Sequence, residues 1–98
     1  MDNVQVEDYI VETLMADLVG HDKSPSAFIV YLYLYGQSLP SRTRSIRASH
    51  QSIATETGLS KSAVQSAVRH LVRRKLLRSE RASITAVPEY FVLRPWRR

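Results

Sequence analysis

The sequence predicts a mainly α domain with a small β-hairpin, an α+β fold. Apolar residues recur at helical spacing along most of the 98-residue chain. Serine and glycine stand where helices would begin and end. The last quarter contains two short runs rich in β-prone residues. The predicted order is an extra N-terminal helix, a second helix, a short strand, two helices across a tight turn, and the hairpin.

The stretch 49–75 carries the clearest pattern. Ser49 is expected to cap one helix, and Gly58 to end it, because glycine enters the left-handed conformation without steric cost. Ser60 then caps a helix over 61–74. The apolar side of that helix consists of Val64, Ala67, Val68 and Leu71. Its opposite side is polar and basic, and carries Lys61, Ser62, Gln65, Ser66, Arg69 and Arg73.

Residues 4–19 predict the extra N-terminal helix, with Asp2 or Asn3 as its cap and Gly20 as its end. It has an apolar stripe at helical spacing, formed by Ile10, Val11, Leu14, Met15 and Leu18. This stripe either packs on the core of its own domain or pairs with another copy of the chain. The sequence leaves both possibilities open.

The segment 25–35 predicts a helix that is apolar on all sides. Ser24 and Pro25 suit a helix start, and Gly36 suits a helix end. The alternation of tyrosine and leucine over 31–35 is also compatible with a strand, but these two signals favour a helix. Such a helix must be covered on more than one side. We therefore expect the N-terminal helix or a partner subunit on it, with its tyrosines in the core or an interface.

Three short strands are predicted around the two-helix stretch. Residues 37–43 form a loop, and 44–48 alternate as a short strand. Residues 77–83 and 89–94 read as the hairpin, joined by a long loop because no two-residue turn signal separates them. Trp96 in the basic tail is expected to fold back on the core.

Charge divides the chain into an acidic arm, 1–22, and a basic domain, 23–98. The net charge is +5, but residues 1–22 hold six acids and no lysine or arginine. Residues 41–98 hold thirteen basic residues against three acids, a balance of +10. This asymmetry indicates a polyanionic partner, most simply nucleic acid, although a generally basic surface would give the same count.

The sequence has few features of enzymes, metal-binding proteins or membrane proteins. No carboxylate pair, glycine-rich phosphate loop or nucleophile–base set stands out, so we do not expect an enzyme. Cysteine is absent and the three histidines lack ligand spacing, so neither a metal nor another cofactor is expected. No apolar run is long enough for a membrane span, and the acidic N-terminus is unlike a secretory signal or transit peptide. We expect a cytoplasmic, nucleoid-associated protein.

The run IATETGLSKSAVQSAVRHLVRRKLL resembles a recurring bacterial pattern of winged helix-turn-helix domains. In that pattern an "LA…TGLS" turn leads into a "V…L..L…G-L-[IL]" helix and the first wing strand. Over residues 24–94 the chain is similar to GntR-type regulators and to the winged helices of plasmid replication initiators. Lys75-Leu76 stands where family members often have glycine. No effector-binding domain follows in this sequence, so we expect no ligand control of the usual repressor kind.

The resemblance implies sequence-specific binding of double-stranded DNA by a small bacterial or mobile-element transcriptional regulator. Helix 61–74 would enter the major groove, with Gln65 facing adenine and Arg69 facing guanine. The wing, 77–94, would contact the backbone or the minor groove. The DNA-contacting residues expected are Arg44, Arg47, Ser60, Lys61, Ser62, Gln65, Ser66, Arg69, Arg73, Arg78 and Arg81.

Several of the predicted DNA-contacting residues could have other roles, and the fold could have another function. Gln65 and Ser66 also fit plain surface positions, and Arg69 and Arg73 could pair with a glutamate. The same fold could serve as a protein–protein interaction module or as the DNA-binding domain of a replication initiator. A homodimer through residues 4–19 and 25–35 would set two recognition helices roughly 34 Å apart, about one turn of DNA.

Overall fold

The computed structural model describes residues 3–97, which form four helices and a three-stranded antiparallel sheet. The N-terminal helix consists of two π-helical stretches, Ile10–Leu14 and Ala16–His21. The other helices are α1 (Pro25–Ser38), α2 (His50–Thr57) and α3 (Lys61–Arg73). The strands are β1 (Ser45–Arg47), β2 (Leu77–Glu80) and β3 (Glu89–Val92). The predicted class, mainly α with a small β-hairpin, is therefore confirmed.

The N-terminal helix begins further along the chain than the sequence predicted, and its turns are wider than those of an α-helix. Residues 3–7 are not helical, so Asn3 does not cap it, and Asp2 lies outside the described residues. The helix also continues past Gly20 to His21. Its hydrogen bonds run from residue i to i+5, which widens the turn and keeps residues four apart on one face. The stripe consequently splits, since Ile10, Leu14 and Leu18 are buried whereas Val11 and Met15 are exposed.

The helix predicted over 25–35 is confirmed as α1, but its predicted end is wrong. Pro25 occupies the first turn, whereas Gly36 lies inside the helix, which continues to Ser38. A glycine lowers helix stability without forbidding the helix. A Cβ at this position would lie 3.5 Å from the Val4 Cγ1, an ordinary van der Waals distance, so the packing does not require a glycine here. A glycine inside an apolar helical pattern is therefore not a helix stop by itself.

Packing covers α1 on several sides, as an all-round apolar helix requires. The N-terminal helix, α3 and β3 all contact it. Its inward residues share one buried cluster with residues of the N-terminal helix, α2, α3 and the hairpin strands. Tyr31 and Tyr35 are almost fully buried, as expected for core residues, and the Tyr31 hydroxyl donates to the Leu93 carbonyl at 2.8 Å. Ile29 and Leu32 remain exposed on the outer side.

The caps of α2 and α3 form as predicted. The Ser49 hydroxyl accepts a hydrogen bond from the Ser52 N–H at 3.0 Å. Gly58 ends α2 with φ of 80°, the left-handed conformation that favours glycine. The Ser60 hydroxyl accepts from the Ala63 N–H at 3.1 Å and so starts α3. The predicted apolar side of α3 is buried at Val64, Ala67, Val68 and Leu71.

Lys75 occupies a position that usually favours glycine. Its φ is 60°, and it follows the last turn of α3. The Lys75 N–H donates to the Val72 carbonyl at 3.0 Å, and the Leu76 N–H donates to the Leu71 carbonyl at 2.9 Å. These two bonds form a Schellman motif, in which the left-handed residue closes the helix. The turn into β2 therefore keeps the usual backbone geometry although a lysine stands in it.

The predicted hairpin exists, although its strands are shorter than 77–83 and 89–94. A long loop over 81–88 joins β2 to β3, as expected. The short strand predicted within 44–48 is β1, which pairs with the other edge of β3. The sheet order is thus β1-β3-β2, with β3 in the centre. Within residues 3–97, no helix has the length and apolar character needed to cross a membrane.

Candidate nucleic-acid interface

A groove lies between the start of α2, the exposed side of α3 and the loop over 81–88. We refer to it as the α3–loop groove. It brings together Lys61, Gln65 and Arg81, three members of the predicted site. None of the residues that line it is acidic. An uncompensated positive charge in a concave surface attracts anions and raises their local concentration.

The environment of His50 shows how the charges converge in this groove. Burial lowers the pKa of His50 below its ordinary value of 6.5, and the positive charges of Arg81, Lys61 and Arg69 lower it further. These three cations come from α3 and from the loop after β2, yet all act on one imidazole. The groove is therefore a place where positive potential from two separate elements adds up.

The other polar residues of α3 differ in position. Ser62 and Ser66 are exposed, whereas Gln65 is half-buried at the groove. The Arg69 Nη2 donates to the Ser66 hydroxyl at 3.4 Å, and the Arg73 Nη2 lies 3.2 Å from the His70 Nδ1. Neither arginine lies within 4.0 Å of a carboxylate among residues 3–97, so neither is paired with a glutamate there.

The hairpin arginines are held to different degrees. Arg78 forms an ion pair with Glu80, and its guanidinium carbon lies 4.0 Å from the centre of the Phe91 ring. Arg81 donates to the Ile84 carbonyl at 3.2 Å and has no carboxylate within ion-pair distance in the described chain. It also lines a second, adjoining cleft with Arg47, in which two acids are present. Arg81 is therefore the more available cation of the hairpin.

Arg44 and Arg47 do not line the α3–loop groove. The Arg47 Nη2 is 4.0 Å from the Glu89 Oε1, across the β1–β3 pair. Arg44 precedes β1, with φ of 52°, and its guanidinium carbon lies 5.8 Å from the centre of the Tyr35 ring. Because Arg44 lines clefts different from the α3–loop groove, the structure does not bring the eleven predicted residues into one site.

At the far end of α3, His70 and Arg74 bind carboxylates of the N-terminal segment. Asp22 accepts a hydrogen bond from the His70 Nε2 at 2.7 Å, and it forms an ion pair with Arg74. Hydrogen bonding from His21, opposed by burial and assisted by His70 and Arg74, lowers the pKa of Asp22 to about 2. Arg74 also reaches the Asp17 Oδ2 at 3.5 Å. His70 and Arg74 therefore stabilise the fold and are not free for a ligand.

A second carboxylate, that of Glu7, joins the N-terminal segment to the C-terminal tail. It accepts hydrogen bonds from Arg94 at 2.9 Å and from the Trp96 Nε1 at 3.0 Å, and Arg97 approaches it to 3.5 Å. Burial acts to raise the pKa of Glu7, but these hydrogen bonds and arginine charges outweigh it and hold the value at about 2. Trp96 thus folds back on the core as predicted, and its ring stacks on Tyr9 with centroids 4.6 Å apart.

The predicted set missed two parts of the α3–loop groove. His50 is the first residue of α2, and its position after the Ser49 cap was the one available signal. The loop residues 85–88 line the groove because the hairpin folds over α3, a contact between distant parts of the chain. Comparisons with protein families, curated proteins and solved structures gave no match to this chain. Only the fold and its side chains therefore indicate the function.

Proposed function

We propose that this protein binds double-stranded DNA through a winged helix-turn-helix unit and acts as a small sequence-specific transcriptional regulator. In this proposal α2 and α3 form the helix-turn-helix, α3 is the recognition helix, and residues 77–94 are the wing. One observation carries the proposal: the exposed side of α3 and the hairpin loop enclose a groove that contains cations and an amide but no acid. A duplex presents the complementary array of phosphates and base edges.

The spacing on α3 suits the reading of bases. Lys61, Gln65 and Arg69 follow one another at intervals of four, so they project from the same side of successive turns. An α-helix with its side chains is about 10–12 Å in diameter, which fits the roughly 12 Å width of the major groove. The 13 residues of α3 give it a length of about 20 Å. We propose that Gln65 faces adenine and Arg69 faces guanine, the bidentate pairings that these side chains favour.

The remaining polar residues suit phosphate contacts, which fix the register of a protein on DNA. Ser60, Ser62 and Ser66 are exposed along the same helix, close enough to the base-reading residues to reach the flanking backbone. We assign Arg81 as the main contact of the wing with the DNA backbone, because no carboxylate among residues 3–97 lies within ion-pair distance of it. Arg78 contributes less in this proposal, since Glu80 already neutralises it.

Two variants of α3 test base recognition. We expect Arg69→Ala to cost roughly 1–3 kcal/mol on the preferred site and to relax the preference at one base pair. Adding Gln65→Ala should relax a second position. The measurement is fluorescence anisotropy on a duplex selected from random sequence, with Gln37→Ala as a control because Gln37 is exposed on α1. Unchanged binding by the double variant would refute the assignment of α3 as the recognition helix.

Salt titration tests the wing and the alternative function together. Arg81→Ala should flatten the slope of log affinity against log salt by about one, independently of sequence. Arg78→Ala is the matched control, with a smaller expected change. A loss confined to one DNA sequence would contradict backbone contact by Arg81. No binding to random duplex at low salt would favour the alternative, a protein–protein interaction module of the same fold.

We further propose that the protein binds DNA as a homodimer through residues 4–19 and 25–35. Val11 and Met15 are exposed on the N-terminal helix, and Ile29 and Leu32 are exposed on α1. These apolar side chains lie on the two elements predicted to pair, and their burial would set two copies of α3 about one turn of DNA apart.

Sedimentation at tens of micromolar should show a dimer, and the double variant Val11→Glu/Met15→Glu should dissociate it. Thr13→Glu is the control, because Thr13 is exposed on the same helix. A monomeric wild type, with or without DNA, would refute the dimer.

A further inference from the structure

A second basic cleft lies at the other end of the sheet from the α3–loop groove. Four arginines line it, Arg42, Arg44, Arg94 and Arg97, and none of its lining residues is acidic. The α3–loop groove borders the residues just before β3, whereas this cleft borders the residues just after it. Four strand residues at about 3.4 Å each separate the two by about 14 Å. One site therefore does not merge into the other.

Half of these arginines lack a counter-charge. Neither Arg42 nor Arg44 lies within 4.0 Å of a carboxylate among residues 3–97. The Nη1 of Arg44 is moreover buried without a hydrogen-bond acceptor in the described structure. A buried donor without a partner raises the free energy of the native state. An oxyanion in the cleft would remove this cost once the guanidinium turns toward it.

Glu7 shows that the neighbouring side of the cleft already binds an oxyanion. Its carboxylate accepts hydrogen bonds from Arg94 and Arg97. The chain therefore supplies one negative charge to a cluster of four positive charges, and the excess remains at Arg42 and Arg44. Arginine is well suited to oxyanions because its planar guanidinium donates several hydrogen bonds in a fixed fork.

We propose that this arginine cleft is itself a binding site for the phosphate backbone of duplex DNA. The inference goes beyond the proposed function and does not depend on it. Phosphates fit better than an acidic peptide, because none of the exposed large apolar side chains lines the cleft. Protein interfaces usually rely on such apolar anchors, whereas a nucleic-acid backbone requires only charge and hydrogen bonds. A molecule with two such surfaces can bridge two duplexes or bend one duplex around itself.

The direct test is an amide NMR titration of the full chain with a 16-base-pair duplex, and separately with inorganic phosphate. We expect resonances of residues 42–44 and 93–97 to shift with the duplex, in addition to those of the α3–loop groove. Shifts confined to the groove would overturn this inference and leave the proposed function standing. Shifts confined to the cleft would support it while refuting the groove. The absence of both would overturn both, and a response to inorganic phosphate but not to duplex would overturn the DNA assignment.

Substitutions in the cleft sharpen the test. Arg42→Gln/Arg44→Asn should flatten the salt slope by about two while leaving the preference between DNA sequences unchanged. Asparagine is chosen at position 44 because it tolerates the left-handed backbone. Lys23→Asn is the matched control, since Lys23 is also an exposed cation with positive φ. Equal slopes for the double variant and the wild type would overturn the inference.

Removal of the internal competitor should increase binding. Glu7→Gln frees Arg94 and Arg97, so we expect the affinity of the cleft for duplex to rise about three- to tenfold, by the addition of one to two phosphate contacts. General damage to the fold would lower it instead, and circular dichroism checks that the variant remains folded. If a polyglutamate peptide displaces the duplex from the cleft at a lower concentration than the duplex itself requires, the partner is an acidic protein and the inference fails.

Discussion

The two ends of α3 carry similar side chains in different surroundings. At the C-terminal end, His70 and Arg74 contact Asp22, which the N-terminal helix supplies. Lys61 at the N-terminal end and Arg69 on the exposed side have no carboxylate within ion-pair distance among residues 3–97. His70 and Arg74 stabilise the packing of the N-terminal helix, whereas Lys61 and Arg69 are available to a ligand. The number of basic residues therefore does not locate a binding site, whereas their acidic neighbours do.

The acidic arm explains this division. Its helix packs on α1, and Asp17 and Asp22 both reach Arg74 at the end of α3. Positive residues at a helix C-terminus also interact favourably with the helix dipole, so this end suits a structural ion pair. The groove at the other end remains purely basic. Each prediction below alters one side of this contrast.

The largest effect is expected from the packing of the N-terminal helix. Leu14 is 2% exposed in the shared core, so Leu14→Ala should lower the free energy of unfolding by about 3 kcal/mol. Thr13→Ala is the control on the same helix, because Thr13 is exposed. Urea denaturation measures both. If the two variants lose equal stability, the helix is not a part of the core and the contrast between the ends of α3 breaks down.

The next effect concerns the carboxylate that holds the C-terminal end of α3. Asp22→Asn should cost about 2 kcal/mol at neutral pH, because it weakens charged hydrogen bonds to His70 and Arg74. The pKa of Asp22 is lowered from 3.8 to about 2, so its contribution is present above pH 3.8 and is lost as pH falls toward 2. Thermal melts across this range should show a shallower acid destabilisation in the variant. Asp8→Asn, an exposed control, should melt like the wild type.

A smaller and opposite effect is expected at Lys75. Its left-handed backbone costs a non-glycine residue about 1 kcal/mol, so Lys75→Gly should stabilise the protein by about that amount. Lys75→Ala separates charge from backbone, since it removes the charge and keeps the strain. A stabilisation by alanine equal to that by glycine would show that charge repulsion, and not the backbone, is the cause.

The smallest effect tests the groove through His50. Phosphates near Lys61, Arg69 and Arg81 would offset the charges that lower the pKa of His50, so DNA binding would take up a proton. Affinity for duplex should therefore rise a few-fold as pH falls below 6.5. Folding has the opposite sign, because the lowered pKa favours the neutral folded form and stability rises with pH toward 6.5. His50→Gln should remove both trends, and a pH-dependent affinity that survives it would exclude His50 as the cause.

Local signals made most of the α2–α3 region predictable. The capping residues act on backbone groups only a few positions away, so their roles can be inferred from the neighbouring sequence. They are Ser49, Gly58 and Ser60. The same logic failed at Gly36, because packing of α1 against distant parts of the chain carries the helix through this glycine to Ser38. The π-helical winding of the N-terminal helix also has no letter pattern that distinguishes it from an ordinary helix.

The candidate site was only partly predictable for the same reason. The face of α3 follows from helical spacing, so Lys61, Gln65 and Arg69 were correctly placed together on one side. Which arginines remain free depends on partners far along the chain, such as Asp22 for Arg74. Arg44 was assigned to the DNA-contacting set by its charge alone, and tertiary structure directed it into another cleft.

The hydrogen bond from Arg94 to Glu7 brings the two ends of the described chain together, since these residues are eighty-seven positions apart in the sequence. A short peptide linker could therefore close the backbone into a ring without stretching the fold, and the exposed loop over 81–88 offers a place to open that ring. In such a circular permutant, the chain ends by which the molecule can be attached to a surface would lie in the loop over 81–88. Tethered near residues 3 and 97, the molecule would present the α3–loop groove to the solution, whereas tethered by the new ends in the loop over 81–88 it would present the arginine cleft. The two surfaces could then be studied separately on the same scaffold.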